Sequence, residues 1–269
     1  MGFSIVESPV RYVWSYVDNA DRSTWPTLRI GQLVYQVSDG VGNLGQASGA
    51  ADTSGKKIPF GVVIGTNHRN TSYDTTYKTD SITAYDPHSN SVERVLGEGH
   101  IASRGDRSAM VQVAVIGPNT VLKGKIFKTS FGTAPDVSTV TTGSTTGAGF
   151  SGGAGSFTTP VADLCSVYCR TGANQGMYRV TTDTSATVKT VGHYFPYDIA
   201  IGDKFVQVPM RPQGKSYVQT DAQAMFIDAA ANPATNYWII NVLELDLSVA
   251  GMEHVKFQFN ADHFTAARA

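Results

Sequence analysis

Hydrophobic and polar residues alternate along many short stretches of this chain, which is the period of β-strands rather than of helices. In YWIINVLELDL, for example, Leu243, Leu245 and Leu247 are predicted to face inward, while Glu244 and Asp246 face solvent. Turn-forming Gly, Asn, Asp and Ser residues separate these stretches. Further strand candidates are LRIGQLVYQV, IPFGVVIGT, SAMVQVAVIG, VLKGKIF, MYRVTT, KFVQVP and VKFQF. The pattern predicts an all-β protein built from small barrels or sandwiches.

The distribution of these strands predicts two β-rich, barrel- or sandwich-like domains. The first covers residues 28–128 and the second covers residues 161–269. A Gly/Ser/Thr-rich connection over residues 129–160 joins them, and an extended N-terminal arm over residues 1–27 precedes them. A polar stretch inside the first domain, with NHRNTSYDTTYKTDS and YDPHSNS, is predicted to be an exposed loop or hairpin excursion.

The connection, which contains GTAPDVSTVTTGSTTGAGFSGGAGSFTTP, poses the question of whether the chain is a hydrolase. The letters around Ser151 match the G-x-S-x-G nucleophile turn. That turn needs a buried strand before the serine and a helix after it, whereas GAGSFTTP is a poor helix start. Catalysis at Ser151 is therefore not expected. Because Val140, Phe150 and Phe157 are apolar, the segment is predicted to be pinned against a β surface at those residues and loose between them.

The arm contains RYVWSYV, in which Tyr12, Trp14 and Tyr16 share one side of an extended strand. One interpretation is that this segment is simply the first strand of the fold. The other is a docking arm that inserts aromatic side chains into a neighbour, since Tyr and Trp are enriched at protein interfaces. On the second interpretation these three residues are the candidate contact residues.

Composition and charge limit the classes of partner that the sequence predicts. The chain has 269 residues, of which 41% are hydrophobic and only 16% are charged, and its formal net charge is -1. Without a cationic excess, no nucleic-acid partner is expected. The first residues lack a secretory pattern and no run of about eighteen apolar residues occurs, so no membrane partner is expected either.

The remaining candidate chemistry is sparse. Cys165 and Cys169 lie in LCSVYCR, and four residues of strand place them about 13 Å apart, too far for a disulfide. They are predicted to be buried free thiols. The six histidines do not fall at metal-ligand spacings, so no metal, cofactor or catalytic site is expected. A hydrolase of unrecognised type remains an alternative.

Three motifs follow one another in the first half of the chain. They are GQLVYQV, with Gly31 and the Val34-Tyr35 pair, then PFGV beginning at Pro59, and then the VQVAVIG strand, residues 111–117. Together they resemble the head decoration, or capsid cement, proteins of tailed bacteriophages. About 100 residues carry this resemblance. The second half resembles segments of phage virion structural proteins more loosely.

The resemblance implies a structural virion protein on the outer surface of the head, made in the host cytoplasm, whose partner is the major capsid protein. It also implies self-association, commonly as a homotrimer at threefold positions. No residue chemistry follows from it, because such proteins act through contact area. The alternative within the virion is a tail or baseplate adhesin that binds host carbohydrate, with Tyr73, Tyr77 and Tyr85 as the candidate sugar-stacking residues.

Overall fold

The computed structural model confirms the all-β class. The structure describes residues 2–7, 11–17, 27–36, 43–47, 58–67, 81–83, 110–153, 157, 161–183, 185–221, 224–230 and 237–265.

Nineteen strands and one short helix make up the described chain. The first nine strands are β1 (Ser4–Glu7), β2 (Arg11–Val17), β3 (Thr27–Arg29), β4 (Leu33–Gln36), β5 (Asn43–Gln46), β6 (Ile58–Asn67), β7 (Ser81–Thr83), β8 (Met110–Val115) and β9 (Val121–Phe127). The next six are β10 (Val137–Thr142), β11 (Gly149–Gly152), β12 (Ser166–Cys169), β13 (Tyr178–Val180), β14 (Val188–Thr190) and β15 (Lys204–Val208). The last elements are β16 (Lys215–Val218), β17 (Ile227–Asp228), β18 (Trp238–Asp246), β19 (His254–Phe259) and the helix α1 (Asp262–Thr265).

A central sheet is assembled from both ends of the chain and its middle. Its strands follow the order β1-β9-β19-β18-β16, and β17 pairs with β9 in parallel. The two edges of this sheet meet, because a bridge between Thr220 and Ile227 joins the end of β16 to β17. Trp238, Ile240 and Phe257 lie fully buried in its core.

The first barrel is a closed circuit of β2, β5, β4, β6 and β8, and β3 and β7 form a separate two-stranded sheet. Gly61 of β6 is needed for closure. A Cβ at this position would lie 2.3 Å from the Val113 side chain and 2.4 Å from the Ala114 carbonyl oxygen of β8. Gly31, just before β4, has a φ of 88°, which favours glycine over any other residue.

The second barrel consists of β10 to β15, in the order β13-β12-β15-β10-β11-β14. Its ends are joined by a bridge between Thr181 and Val191, flanked by hydrogen bonds from Gly192 N to Val180 O and from Thr182 N to Thr190 O. Every residue of β12 is buried, because one face of this strand packs inside the barrel and the other faces the core of the central sheet.

The Gly/Ser/Thr-rich segment belongs to the second barrel, which corrects the prediction of an inter-domain connection. Strands β10 and β11 lie within it and pair with each other. Val140, Phe150 and Phe157 are buried in the barrel core, as the prediction of pinning at these residues required. Phe150 stacks on Phe205, with ring centroids 4.1 Å apart. A core of aromatic and β-branched side chains therefore orders a segment whose composition is typical of a linker.

The prediction of an extended N-terminal arm is wrong for the two strands of that segment that the structure describes, β1 and β2. Strand β1 pairs with β9, and β2 pairs with both β8 and β5, so both strands are integral parts of sheets. The linear domain order is corrected as well. Strand β9, placed in the first domain by sequence, belongs to the central sheet, and the two barrels are inserted into that sheet between β1 and β9 and between β9 and β16.

The ends of each inserted barrel lie side by side, as the insertion of a folded unit requires. Glu7 pairs with Val121 where the chain leaves and re-enters the central sheet around the first barrel. Val137 pairs with Val206 in the second barrel. One continuous core then joins the three units. It includes Leu33 and Val62 of the first barrel together with central-sheet residues such as Leu122.

One predicted side-chain orientation is wrong. Leu243 is 45% exposed, whereas Leu245 and Leu247 are buried as expected. The register of β18 against β19 shifts between Val242 and Glu244, which places two consecutive exposed residues in the strand. A β-bulge of this kind interrupts strict alternation, and alternation was the basis of the prediction.

Candidate interaction surface

Three loops meet at one end of the second barrel and form a fixed surface, called here the loop platform. It comprises residues 143–147, 171–176 and 192–202. Asn174 is fully buried and ties two of the loops together. Its side-chain amide donates to Tyr197 O at 2.9 Å and to Asp198 O at 3.2 Å, and its side-chain oxygen accepts from Tyr197 N at 3.1 Å. All hydrogen-bonding capacity of that amide except one lone pair is thus used within the platform.

Two glycines allow the first loop of the platform to approach the third. A Cβ on Gly143 would lie 2.0 Å from the Ile199 carbonyl oxygen, and one on Gly147 would lie 2.1 Å from the Phe195 carbonyl oxygen. The gap is closed by hydrogen bonds in both directions between the backbones of Ser144 and Ile199. Glycine at these positions is therefore a packing requirement of the platform.

The third loop, GHYFPYDIAIG, alternates between residues that anchor it and residues that it presents. Phe195 and Ile199 are buried in the barrel core. Tyr194, Tyr197 and Ile201 are exposed, at 63%, 57% and 75% of their surface. The backbone is fixed on both sides of each tyrosine, so their positions are set in advance of any contact. Such preorganisation lowers the entropy lost on binding.

The platform carries little charge. Among its residues Asp198 is the one carboxylate, His193 is the one imidazole, and Lys and Arg are absent. Arg179 of β13 contacts the third loop. The Arg179 Nε donates to Tyr194 O at 3.0 Å, and the guanidinium carbon is 5.0 Å from the centroid of the Phe195 ring. This arginine therefore ties β13 to the third loop, and its Nε is used in that contact.

The candidate contact residues from the sequence lie elsewhere. Tyr12 is 55% exposed on β2 of the first barrel. The backbones of Trp14 and Tyr16 lie on the same strand, opposite Gln112 and Met110 of β8, but their side chains are outside the described part of the structure. The sugar-stacking candidates of the 71–85 loop also lie outside the described residues.

The serine and cysteine residues singled out in the sequence lie in strands or are buried. Ser151 lies within β11, paired with Thr142 of β10 on one side and Val188 of β14 on the other, which is unlike a strand-to-helix nucleophile turn. Cys165 and Cys169 are buried free thiols, as predicted. Desolvation by burial raises the pKa of each thiol to about 11. No group of three or more potential metal ligands occurs among the described residues.

Polar contacts fasten the second barrel to the central sheet. Arg170 donates to the Leu247 carbonyl through Nε at 3.0 Å and Nη2 at 2.7 Å, and Nη2 also lies 2.8 Å from Glu253 Oε1. The Tyr178 hydroxyl donates to the Leu245 carbonyl. Desolvation by burial raises the pKa of Tyr178 above its usual range. These groups act as a structural clamp between the two units.

A buried lysine braces the hairpin between β13 and β14. The Lys189 side chain is fully buried, and its Nζ lies 3.5 Å from Asp183 Oδ1. It also donates to the Ser185 carbonyl and lies 4.9 Å from the centroid of the Phe157 ring. Burial lowers the pKa of Lys189, and the Asp183 carboxylate opposes that shift. Asp183 in turn accepts hydrogen bonds from Ser185 N and Thr190 N. The charged groups of this turn are therefore paired with one another and with the backbone.

The platform was missed by sequence reasoning, which placed residues 192–202 within the second domain without singling them out. The available signal was the HYFPY stretch, where aromatic residues flank a proline in a turn region. In comparisons with known proteins, no family model, curated protein or solved structure matches the chain. No helix among the described segments has the length and apolar character needed to cross a membrane.

Proposed function

We propose that this chain is a structural virion protein of a tailed bacteriophage, which binds the outside of the head and stabilises the capsid lattice. Its proposed partners are the major capsid protein and further copies of itself, as a homotrimer. The proposal originates in the resemblance of the first-half motifs to head decoration proteins, and it assigns the protein no chemical reaction.

One observation carries the proposal further than the sequence does. The residues of the three resembling motifs lie on neighbouring strands of the first barrel, although they are far apart in the chain. Val34 of β4 pairs with Gly61 of β6, and Gly61 pairs with Val115 of β8. The resembling motifs therefore belong to one contiguous unit, as a decoration-protein-like domain requires.

The architecture is also compatible with a protein that works by contact. Three β units share one core, and the second barrel is fastened to the central sheet by the Arg170 clamp. A rigid body present in many copies on a lattice gains persistent attachment from modest contacts at each site, because neighbouring contacts raise the effective concentration. Tyr12, with 55% of its surface exposed, is the described member of the proposed capsid-contact set Tyr12, Trp14 and Tyr16.

The test is the position and copy number of the chain on purified phage particles. We expect a cryo-electron-microscopy reconstruction to place it on the outer surface of the head, and quantitative mass spectrometry to give copy numbers comparable to those of the capsid subunits. Recombinant protein should also bind heads that lack it. A location at the tail or baseplate, with a few to tens of copies, would refute the proposal in favour of the adhesin alternative.

A second measurement tests the contact residues. The variant Tyr12→Ala/Trp14→Ala/Tyr16→Ala should bind heads more weakly than the parent chain, and the exposed variant Val249→Ala serves as the matched control. Val249 is 57% exposed in the turn between β18 and β19. Equal attachment of both variants would show that the three aromatic residues are not part of the interface. The location of the protein on the particle is tested separately, by the reconstruction.

A further inference from the structure

The exposed side chains of the loop platform are not part of the barrel core. Tyr194, Tyr197 and Ile201 project from a loop whose intervening residues already supply the core contacts. Exposed aromatic rings on a fixed backbone are typical of recognition surfaces, where tyrosine offers a rigid apolar face and a polar hydroxyl. The platform composition of Gly, Ser, Thr, Asn and Tyr fits the same description.

The exposed apolar surface of the platform lies mainly on three side chains. An aromatic side chain carries about 150–250 Å² of surface. At the observed exposures, Tyr194, Tyr197 and Ile201 together offer roughly 400 Å², taking such areas for each. The residues between the three side chains are mostly small or polar, so they add little apolar area.

The charge of the platform favours neutral occupants over anionic ones. A nucleobase also stacks on tyrosine, but single-stranded nucleic acids require cationic side chains along the backbone path. The three loops contain no Lys or Arg. The neighbouring Arg179 donates through Nε to Tyr194 O and through Nη1 to Tyr178 O, and Lys204 follows the third loop by two residues. Sulfated or sialylated chains meet the same obstacle, with Asp198 adding a negative charge.

A neutral oligosaccharide fits the composition of the platform. The C–H face of a hexose ring is apolar and matches the face of a tyrosine, while its hydroxyl edges need uncharged or singly charged hydrogen-bonding groups. Such groups are present on the platform, where Thr145, Gln175 and Asp198 are all exposed. We infer that the loop platform of the second barrel is a binding site for neutral oligosaccharides, with Tyr194 and Tyr197 as the stacking residues.

This inference is independent of head attachment, because it concerns a different barrel and a different ligand. The experiment therefore uses the free, full-length chain and no phage particles. The probe is an array of immobilised neutral oligosaccharides of glucose, galactose, mannose and N-acetylglucosamine, with sialylated and sulfated counterparts. We expect retention on neutral members and none on the charged counterparts. Retention on no neutral oligosaccharide, or on the charged members alone, would overturn the inference.

Matched variants then assign the site. Tyr194→Ala/Tyr197→Ala should weaken the Kd for the best neutral oligosaccharide by about tenfold, the effect of losing two stacking contacts. Tyr194→Phe/Tyr197→Phe keeps the rings and should stay within about threefold of the parent chain. Phe131→Ala, at an exposed aromatic residue outside the platform, should leave the Kd unchanged. Parental affinity in the double alanine variant would overturn the assignment.

A chemical footprint of the parent chain tests the site without variants, so it does not depend on whether the variants fold. Tyrosine nitration of the parent chain, mapped by peptide mass spectrometry, should modify Tyr12, Tyr194 and Tyr197 because all three are exposed. Saturating oligosaccharide should protect Tyr194 and Tyr197 and leave Tyr12 reactive. Undiminished nitration of both platform tyrosines in the presence of bound sugar would overturn the inference, whatever the variants show.

Discussion

Replacing Arg170 should be the most destructive single change at the junction between the second barrel and the central sheet. Arg170 is the ion-pair partner of Glu253, whose side chain is fully buried. Glu253 Oε2 has no hydrogen-bond partner in the structure, so Arg170 supplies the main compensation for that carboxylate. Removing one partner of a buried pair typically costs about 3–5 kcal/mol, because an uncompensated charge stays behind.

Within that total, the loss of both hydrogen bonds to the Leu247 carbonyl accounts for about 1–3 kcal/mol. We therefore expect Arg170→Met to lower the free energy of unfolding by about 3–5 kcal/mol. The double variant Arg170→Met/Glu253→Met removes the stranded charge together with its partner. It should be at least about 2 kcal/mol more stable than Arg170→Met alone, since apolar replacement of a whole buried pair is often neutral.

The assay is urea-induced unfolding followed by circular dichroism and tryptophan fluorescence, with free energies taken from linear extrapolation. The matched control is the exposed pair between Lys256 and Glu244, whose side chains are 31% and 51% accessible. Lys256→Met should cost less than about 1 kcal/mol, because solvent screens such pairs. The reasoning fails if Arg170→Met costs no more than Lys256→Met, or if the double variant is less stable than Arg170→Met.

Three further predictions concern the second barrel. Gly149→Ala should lower the free energy of unfolding by more than about 2 kcal/mol, because its Cβ would lie 2.2 Å from the Lys189 carbonyl oxygen. The control Gly117→Ala, whose Cβ would have nothing within 4 Å, should change the free energy of unfolding by less than about 1 kcal/mol in the same assay. Limited proteolysis mapped by mass spectrometry should leave residues 137–153 uncut, and fast native-state cleavage there would contradict their place in the barrel. Cys165 and Cys169 should resist iodoacetamide at pH 8.5 in the native state and react in urea, because burial raises both thiol pKa values to about 11; rapid native labelling would contradict this.

Strand content was predictable because it depends on local patterning. The alternation in VKFQF and VLKGKIF correctly predicted β19 and β9. The same rule failed at Leu243, because a bulge depends on how β18 meets its neighbour rather than on its own residues. Pattern alone predicts that a strand exists, and its register is decided by its partner.

Strand partners were not predictable from the sequence. Nothing local to β9 indicates that it pairs with β1 and β19, which lie at opposite ends of the chain. The Gly/Ser/Thr-rich segment misled for a related reason. Its composition is typical of a flexible linker, but Gly143 and Gly149 serve as points where another backbone approaches closely. The reason for these glycines becomes visible only when the neighbouring strand is in place.

The platform was harder to predict than the strands. An aromatic residue in a loop has the same local signature whether it is buried, like Phe195, or exposed, like Tyr194. The distinction depends on the barrel core beneath the loop and on Asn174, which lies about twenty residues earlier in the chain. Sequence alone therefore predicts an aromatic loop but does not identify which rings face solvent.

The insertion of both barrels into the central sheet has a consequence for synthesis. Each barrel is encoded by a continuous stretch, residues 11–115 and 137–208, and both stretches leave the ribosome before β16, β18 and β19 do. The barrels can acquire their own contacts while the apolar faces of β1 and β9 still lack their partners. Because β18 and β19 supply those partners, the central sheet closes last. A chain that stops short of residue 238 should hold two folded barrels on an unfinished, aggregation-prone sheet.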